Sequence, residues 1–226
     1  GQKVDKERYL AGQTIRGVMC VLDAGERAKP ITLHKGEILP VEPTSVADKL
    51  GPGDIVLKGG NALDAFGNVG VIMVNPAGGT MGSFYMGMKA RGLEIIYTVG
   101  LEKLIPSVEE AARYGGTMMI GKSIGCKAGL ACVADGRPFT EIDALEALFD
   151  VSAVHFASGG WGGAEGAVTL IVEGPDDEVN RCMEFIEAKI KGEPALPGVK
   201  GPCKTCPIGA CNFKGKDDQN LPGYLK

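Results

Sequence analysis

The stretch DIVLKGGNALD, residues 54–64, decides the fold of this chain. Its apolar residues at 55–57 predict a buried strand, and the pair Gly59-Gly60 ends that strand in a tight turn. Further strands are predicted at 69–74 and 94–100. Helices are predicted over 81–91 and from Ser107 to Gly115, where Ser107 and Glu110 form a capping box. This alternation predicts βαβ units, and therefore an α/β fold with a mostly parallel sheet and flanking helices.

The order of elements changes after residue 116. The sequence predicts a strand at 117–120, a helix capped by Thr140 and Asp143, strands at 151–156 and 167–172, and a helix over 176–191. This β-α-β-β-α order resembles most of a ferredoxin-like split βαβ unit. Prolines at 194, 197, 202, 207 and 222 exclude regular structure beyond it. We therefore predict an α/β core over 1–115, a ferredoxin-like subdomain over 116–192 and an irregular, cysteine-rich tail over 193–226.

The composition of the 226 residues narrows the classes of partner. A formal net charge of −4 without a basic stripe argues against nucleic acid. The sequence has no run of 18 apolar residues and no signal-peptide pattern, so no membrane partner is expected. Seven mostly scattered cysteines predict a reducing, cytoplasmic location rather than a secreted disulfide scaffold. The expected partners are a small anionic molecule and further copies of the chain in a homo-oligomer.

Two glycine-rich turns predict a ligand site. One, at 58–64, follows the first strand, and the other, at 78–82, leads from the second strand into a helix. Ligands of open α/β sheets bind beyond the carboxyl ends of the strands, and a helix N-terminus favours phosphate or carboxylate. The alternative is that tight turns need glycine whether or not a ligand binds. The predicted ligand-binding residues are Lys58, Gly59, Gly60, Asn61, Asp64, Gly78, Gly79, Thr80 and Gly82.

Three segments resemble the lactate-utilisation (LUD) domain: residues 54–64, the GNVG at 67–70 and the VGLEKLIPSVE at 99–109. The resemblance covers roughly residues 50–115. It implies the three-layer α/β core of the ribose-5-phosphate isomerase and CoA-transferase superfamily. It also implies phosphorylated or CoA-linked substrates, or work with iron–sulfur partners in organic-acid oxidation. The chain departs from that superfamily in having no equivalent of the nucleophilic glutamate. Glu102 is a candidate catalytic residue, or it pairs with Lys103 to order the junction between strand and helix.

A second glycine-rich segment, residues 158–166, carries the only tryptophan of the chain. One interpretation is a flexible lid, in which Trp161 offers a stacking face and Glu165 is the acid/base group. The other is a long hairpin loop with Trp161 on the surface. His155, in an apolar run, is expected to be structural.

The tail carries Cys203, Cys206 and Cys211 in a C-x2-C-x4-C pattern. A thiolate-bound zinc ion or iron–sulfur cluster needs four ligands, so Cys126 or Cys132 is the expected fourth, and Cys126 is preferred. The absence of a histidine near the tail favours ligation by thiolates alone. The alternatives are a disulfide or redox-active thiols, or no shared chemistry. The remaining cysteines, Cys20 and Cys182, occupy apolar periodic positions and are expected in the core.

Taken together, these patterns predict a cytosolic small-molecule-binding protein or enzyme of organic-acid or phosphate/CoA-ester metabolism. It binds an anionic ligand at the glycine-rich turns and holds a metal or an iron–sulfur cluster in its tail. The alternative is a non-enzymatic regulatory or assembly module. In that case the ferredoxin-like half mediates oligomerisation, and the metal is purely structural.

Overall fold

The computed structural model describes residues 12–15, 17–22, 30–134, 137–193 and 200–225, which form a mixed α/β protein. None of the helices in this described part combines the length and apolarity that crossing a membrane requires. The helices are α1 (Pro43–Val46), α2 (Met86–Ala90), α3 (Val108–Tyr114), α4 (Glu141–Leu148) and α5 (Asp176–Lys189). The strands are β1 (Gly12–Ile15), β2 (Val18–Val21), β3 (Thr32–His34), β4 (Glu37–Leu39), β5 (Ile55–Gly59), β6 (Ala62–Leu63), β7 (Val69–Met73), β8 (Glu94–Thr98), β9 (Gly129–Val133), β10 (Arg137–Phe139), β11 (Ser152–Ser158) and β12 (Val168–Glu173).

β5 and β8 form where strands are predicted, and β10, which is not among the predicted strands, completes a parallel sheet in the order β10-β8-β5. Val56 lies opposite Ile95 and Lys58 opposite Tyr97, so these four side chains share one face. Val56, Ile95 and Tyr97 are buried there in the main core. β10 comes from beyond residue 116, so the hydrogen bonds of this sheet cross the domain boundary expected at residue 115.

The expectation that the strand at 69–74 joins the parallel sheet is wrong. β7 pairs antiparallel with β6 and β9, and the three other small sheets (β1-β2, β3-β4 and β11-β12) are antiparallel as well. The reason is local. The link from β6 to β7 turns at Gly67, whose φ is +80°, and a short turn can only join antiparallel neighbours. Among the five small sheets of the described residues, only β10-β8-β5 is parallel, so the β structure is not mostly parallel.

The main core lies between these two three-stranded sheets and the helix α2. The sheets approach each other most closely at Gly60. A Cβ atom on Gly60 would lie 2.8 Å from Val69 Cγ1 and 3.2 Å from Val99 Cβ. Glycine is thus required at residue 60 by packing, since any side chain would push the two sheets apart.

The capping box predicted at Thr140 is present, only one of the two hydrogen bonds of the box predicted at Ser107 forms, and two other local predictions are not met. Ser107 Oγ accepts a hydrogen bond from Glu110 N, and Thr140 pairs with Asp143 at the start of α4. The helix predicted over 81–91 begins instead as a π-helical turn, Met81–Tyr85, and only its last part is α-helical. The segment 117–120 forms a turn rather than a strand. The second half of the chain therefore builds α4-β11-β12-α5, without the first strand of the predicted unit.

The tail forms a small core of its own against the β1-β2 hairpin. Val18 of β2 packs with Cys203, Phe213, Leu221 and Leu225, all buried. The described residues of the tail, 200–225, contain only single 3-10 turns, as the prolines predict. Pro194 and Pro197 lie outside the described residues.

Candidate functional site

Five of the seven cysteines line one cavity, although they come from three distant parts of the chain. β2 contributes one, the segment 123–127 another, and the tail the other three. We call this site the cysteine pocket. Its members are Cys20, Cys126, Cys203, Cys206 and Cys211.

Backbone hydrogen bonds hold β2 beside the segment 123–127. Met19 N donates to Ile124 O at 3.1 Å, and Cys126 N donates to Met19 O at 2.8 Å. These bonds form a parallel bridge between Met19 and Gly125. Cys20 and Cys126 are therefore brought to the same site by strand pairing.

The tail pairs with the same segment through one isolated β-bridge. Cys126 and Cys211 are antiparallel partners, flanked by the bonds Lys127 N to Ala210 O (2.7 Å) and Asn212 N to Gly125 O (3.3 Å). The remaining two thiols lie on a tight turn, where Cys206 N donates to Cys203 O at 3.3 Å. One strand, two segments joined to their neighbours by single bridges, and one turn thus carry the five thiols.

The cavity between the thiols has a volume of about 30 Å³, which is room for one or two atoms the size of a water molecule. Lys200 and Lys214 also line it, and the Lys200 ammonium lies 3.8 Å from Cys203 Sγ. Among the described residues that line the cavity there is no carboxylate and no imidazole. A metal held here would be bound by sulfur, with the two positively charged lysine side chains nearby.

Burial and the crowding of the thiols raise the pKa values of Cys20 and Cys126. Burial raises the pKa of Cys20, and the thiols of Cys203, Cys206 and Cys211 raise it further. Burial also raises the pKa of Cys126, and direct contact with the Cys211 thiol adds to the effect. In the described part of the chain, no three His, Cys, Asp or Glu side chains lie close enough to hold an ion as they stand. A cation would have to displace protons and draw the thiols together.

The prediction that Cys126 rather than Cys132 meets the tail thiols agrees with this geometry, whereas the prediction for Cys20 is wrong. Cys132 is exposed on β9, away from the pocket, and Cys182 is the residue of α5 that is buried in the core, as expected. Cys20 was expected in the core because it sits in the apolar run VMCV. It is only half-buried and lines the cysteine pocket. No local signal reveals this, since its neighbours in the pocket lie more than 100 residues away in sequence.

At the carboxyl end of β5, Lys58 has part of the setting expected of an anion site. Its ammonium donates to Gly59 O at 3.0 Å and lies 5.5 Å from the centre of the Tyr85 ring. Burial lowers the pKa of Lys58, and the nearby Lys103 lowers it further. Two cations therefore approach each other at this edge, and an anion between them would relieve their repulsion.

Asp64 and Asn61, both predicted to bind ligand, are engaged in holding the fold. Asn61 Oδ1 accepts from Ile72 N at 3.0 Å, which ties the turn to β7. The buried Asp64 carboxylate accepts from backbone and side-chain groups around it, including Val108 N at the start of α3. Both side chains therefore have a structural role in this turn.

The second glycine turn does not lie at the edge of the parallel sheet, because β7 belongs to the other sheet. Gly78 and Gly79 have φ of +80° and +56°, and a Cβ on Gly82 would lie 2.2 Å from Ala77 O. These glycines are therefore needed by the turn itself. Thr80 is exposed, and the regular helix that follows, α2, is only five residues long.

Glu102 lies beside a second carboxylate at the end of β8. A Cβ on Gly100 would meet Glu102 Oε2 at 2.0 Å and Glu141 Oε1 at 2.8 Å, so both carboxylates flank this glycine. Glu141 also accepts from Leu101 N at 2.9 Å, and Glu102 lies 3.6 Å from Lys103 Nζ. The pairing of Glu102 with Lys103 is thus present at the junction that it was expected to order.

The loop that carries Trp161 and Glu165 projects from the β11-β12 hairpin. The Trp161 side chain is 90% exposed. Glu165 Oε1 accepts from Gly163 N at 3.2 Å, and hydrogen bonds from its own backbone N–H and that of Gly163 lower its pKa. His155 Nε2 lies 2.7 Å from Ser158 Oγ. These contacts stay within the hairpin and its loop.

The candidate site falls into three separate features: the cysteine pocket, the edge of the parallel sheet with Lys58 and Lys103, and the loop with Trp161. Of these three, only the cysteine pocket gathers several reactive side chains around a cavity. No protein-family model, curated protein or solved structure matches the chain. The function of the site therefore has to follow from its own chemistry.

Proposed function

We propose that the chain is a metal-binding protein whose cysteine pocket holds an iron–sulfur cluster or a zinc ion in a reducing, cytoplasmic environment. A single observation carries this proposal, namely that five thiols from three chain segments line one cavity. Thiolates are soft ligands that select zinc and iron–sulfur clusters over magnesium or calcium. The donor set fits such a group in number, since four thiols complete the site and one remains, and a cluster would also have to widen the cavity of about 30 Å³.

Each part of the pocket has a defined task in this proposal. One turn supplies a chelating pair, Cys203 and Cys206. Backbone segments joined by single bridges supply the other three thiols, those of Cys20, Cys126 and Cys211. The Lys200 ammonium, next to Cys203 Sγ, offsets the negative charge that four thiolates bring. The bound group would supply either structural cross-linking or, for a cluster, electron transfer.

Metal analysis of anaerobically purified protein tests the proposal. We expect wild-type protein to contain either iron with acid-labile sulfide and a visible absorption band, or zinc. The double variant Cys203→Ser/Cys206→Ser leaves three pocket thiols, one fewer than the four that zinc or a cluster takes from thiolates alone, and is expected to lose most of this metal. Cys132→Ser is the matched control, because its thiol is exposed on β9 outside the pocket, and it is expected to keep the metal.

Two results would contradict the proposal. One is wild-type protein that carries no metal and takes up neither zinc nor a reconstituted cluster. The other is a Cys203→Ser/Cys206→Ser double variant with the same metal content as wild type.

We further propose that the fold around β5 and β8 is of the LUD and CoA-transferase type, and that Lys58 and Lys103 bind a small anion. The parallel pairing of β5 with β8 and the two lysines at the edge of that sheet support this. An organic acid, a phosphate ester or a CoA ester has the required charge. The cluster or ion would then serve an enzyme of organic-acid or phosphate/CoA-ester metabolism.

Lys58→Ala is expected to weaken binding of such an anion about tenfold, since a hydrogen bond to a charged group contributes about 1.5–3 kcal/mol. Isothermal titration calorimetry with lactate, inorganic phosphate and coenzyme A measures it. Lys122→Ala, at an exposed position, is the control and should bind like wild type. Equal affinities of wild type and Lys58→Ala for every ligand that binds would remove Lys58 from the site.

A second candidate function, assembly, is favoured by exposed apolar side chains on two sheets. On the parallel sheet, Ile55 and Leu57 are more than half exposed, although parallel sheets are normally covered on both faces. On the β11-β12 hairpin, Val154, Phe156 and Ile171 are exposed in the same way. A second copy of the chain could cover these faces, with the metal in a structural role. The mass of the protein in solution separates this candidate from a monomeric enzyme.

A further inference from the structure

We propose that Cys126 and Cys211 form a reversible disulfide within the cysteine pocket. The oxidant is a small disulfide such as oxidised glutathione. The backbone pairing of the two residues supports the disulfide, and only its effect on bound metal rests on the proposed metal site.

The pairing places the two thiols face to face. Backbone hydrogen bonds run from Lys127 N to Ala210 O and from Asn212 N to Gly125 O, on either side of the pair. No backbone hydrogen bond joins Cys126 to Cys211 themselves. The two cysteines are therefore a non-hydrogen-bonded antiparallel pair, in which Cα atoms lie about 4.5 Å apart. Disulfides form at Cα separations of about 4.4–6.8 Å. Their thiols already interact directly.

The other thiols of the pocket lack this arrangement. Cys203 and Cys206 lie at the start of one 3-10 turn and directly after it, and Cys20 on β2 pairs with Gln13 rather than with a cysteine. Among the described residues, Cys126 and Cys211 are the one pair of cysteines opposite each other in a strand register. The backbone itself thus selects this pair.

The exposure of the two thiols sets the order of the exchange. Cys211 is half-buried and Cys126 is buried, so the Cys211 thiolate attacks oxidised glutathione first. One glutathione thiolate leaves, and a mixed disulfide remains on Cys211. The Cys126 thiolate then attacks Cys211 Sγ and releases the second glutathione. The protein loses two protons and two electrons, which end as two molecules of glutathione thiol.

The disulfide and the proposed metal site exclude each other. Of the five thiols, the disulfide consumes two and leaves Cys20, Cys203 and Cys206. Three thiols fall short of the four that a zinc ion or a cluster takes from thiolates alone. Oxidation would therefore release the metal, while the bond between Cys126 and Cys211 keeps the tail attached to the segment 123–127.

The first experiment uses full-length protein that has been reduced and stripped of metal with a chelator, then treated with oxidised glutathione. Peptide mapping by mass spectrometry is expected to find residues 126 and 211 linked. Cys126→Ser should instead trap glutathione on Cys211, because the second exchange cannot follow. Cys132→Ser should form the same link as wild type. A link between Cys203 and Cys206 as the main product, or no internal link at all, would overturn the proposal.

The second experiment separates this proposal from the metal proposal. Protein loaded with zinc, or reconstituted with a cluster, is treated in the same way. We expect slower linking than in the metal-free protein, and release of one metal centre for each disulfide formed. Protein that carries both the disulfide and its full metal content would refute mutual exclusion. If wild-type protein takes up no metal, the metal proposal fails, and the first experiment still decides the disulfide.

Discussion

Replacing Asp64 with alanine is expected to destabilise the protein by about 3–5 kcal/mol, the range seen when one partner of a buried charged network is removed. Asp64 is 3% exposed, and its carboxylate accepts four hydrogen bonds. They come from Phe66 N and Asn68 N at 3.0 Å, and from Asn68 Nδ2 and Val108 N at 2.9 Å. The variant would leave these donors buried or half-buried without an acceptor.

The position of Asp64 explains why the loss should be large. The residue holds the β6-β7 turn through Phe66 and Asn68, and it holds the start of α3 through Val108. It therefore joins one sheet of the main core to a helix 44 residues further along the chain. Urea unfolding measures the free energy of unfolding. Asp218→Ala, at an exposed acidic residue, is the control. A free energy for Asp64→Ala within 1 kcal/mol of wild type, an amount about that of a single neutral hydrogen bond, would contradict this role.

The same contacts give a pH dependence. Burial acts to raise the pKa of Asp64, but the hydrogen bonds from Val108, Asn68 and Phe66 outweigh it and lower the pKa below its usual value. A lowered pKa in the folded state means that this stabilisation is fully present above the pKa of the unfolded chain, about 3.9, and is lost as the pH falls through the folded value. Wild-type protein should therefore lose stability more steeply below about pH 4 than Asp64→Ala does.

Features with local causes could be predicted from the sequence. The strand at 55–59 follows from its run of apolar residues, and the helix caps at Ser107 and Thr140 need only residues three apart. The turn after β6 is different. Its glycines and Asp64 were visible in sequence, but whether they bind a ligand or close a hairpin depends on Val108, far along the chain. Sequence alone could not separate the two roles.

The candidate site shows the same division. The spacing of Cys203, Cys206 and Cys211 marks the tail as a thiol site, and the need for a fourth ligand points to Cys126. The place of Cys20 in the pocket could not be predicted, because the apolar run VMCV around it predicts a core residue. Its place in the pocket depends on bonds between β2 and the segment 123–127. Such bonds join residues about 100 positions apart, and no periodicity within either segment encodes them.

Gly125→Ala is expected to disrupt the cysteine pocket without removing a thiol. Gly125 has φ +98°, and a Cβ there would lie 2.2 Å from Met19 O and 2.6 Å from Val18 Cγ1. Met19 O belongs to the backbone of β2 and cannot rotate away. The substitution therefore has to move β2 away from the segment 123–127, and Cys20 away from Cys126. We estimate about 2–3 kcal/mol for the strained backbone, which corresponds to metal binding weakened by about 30-fold or more.

The matched control is Gly209→Ala, which lies between Cys206 and Cys211. A Cβ at Gly209 would meet nothing within 4 Å, and its φ lies outside the positive range. Both variants keep all seven cysteines, so equal titration of total thiols can be verified before metal is measured. The main core shares no buried residue with the tail core, so Gly125→Ala should keep the unfolding transition of the main core. If Gly125→Ala binds metal as tightly as wild type, then the contact between β2 and the segment 123–127 is not what assembles the site. Loss of metal in Gly125→Ala alone would show that the fold, and not merely the number of cysteines, makes the pocket.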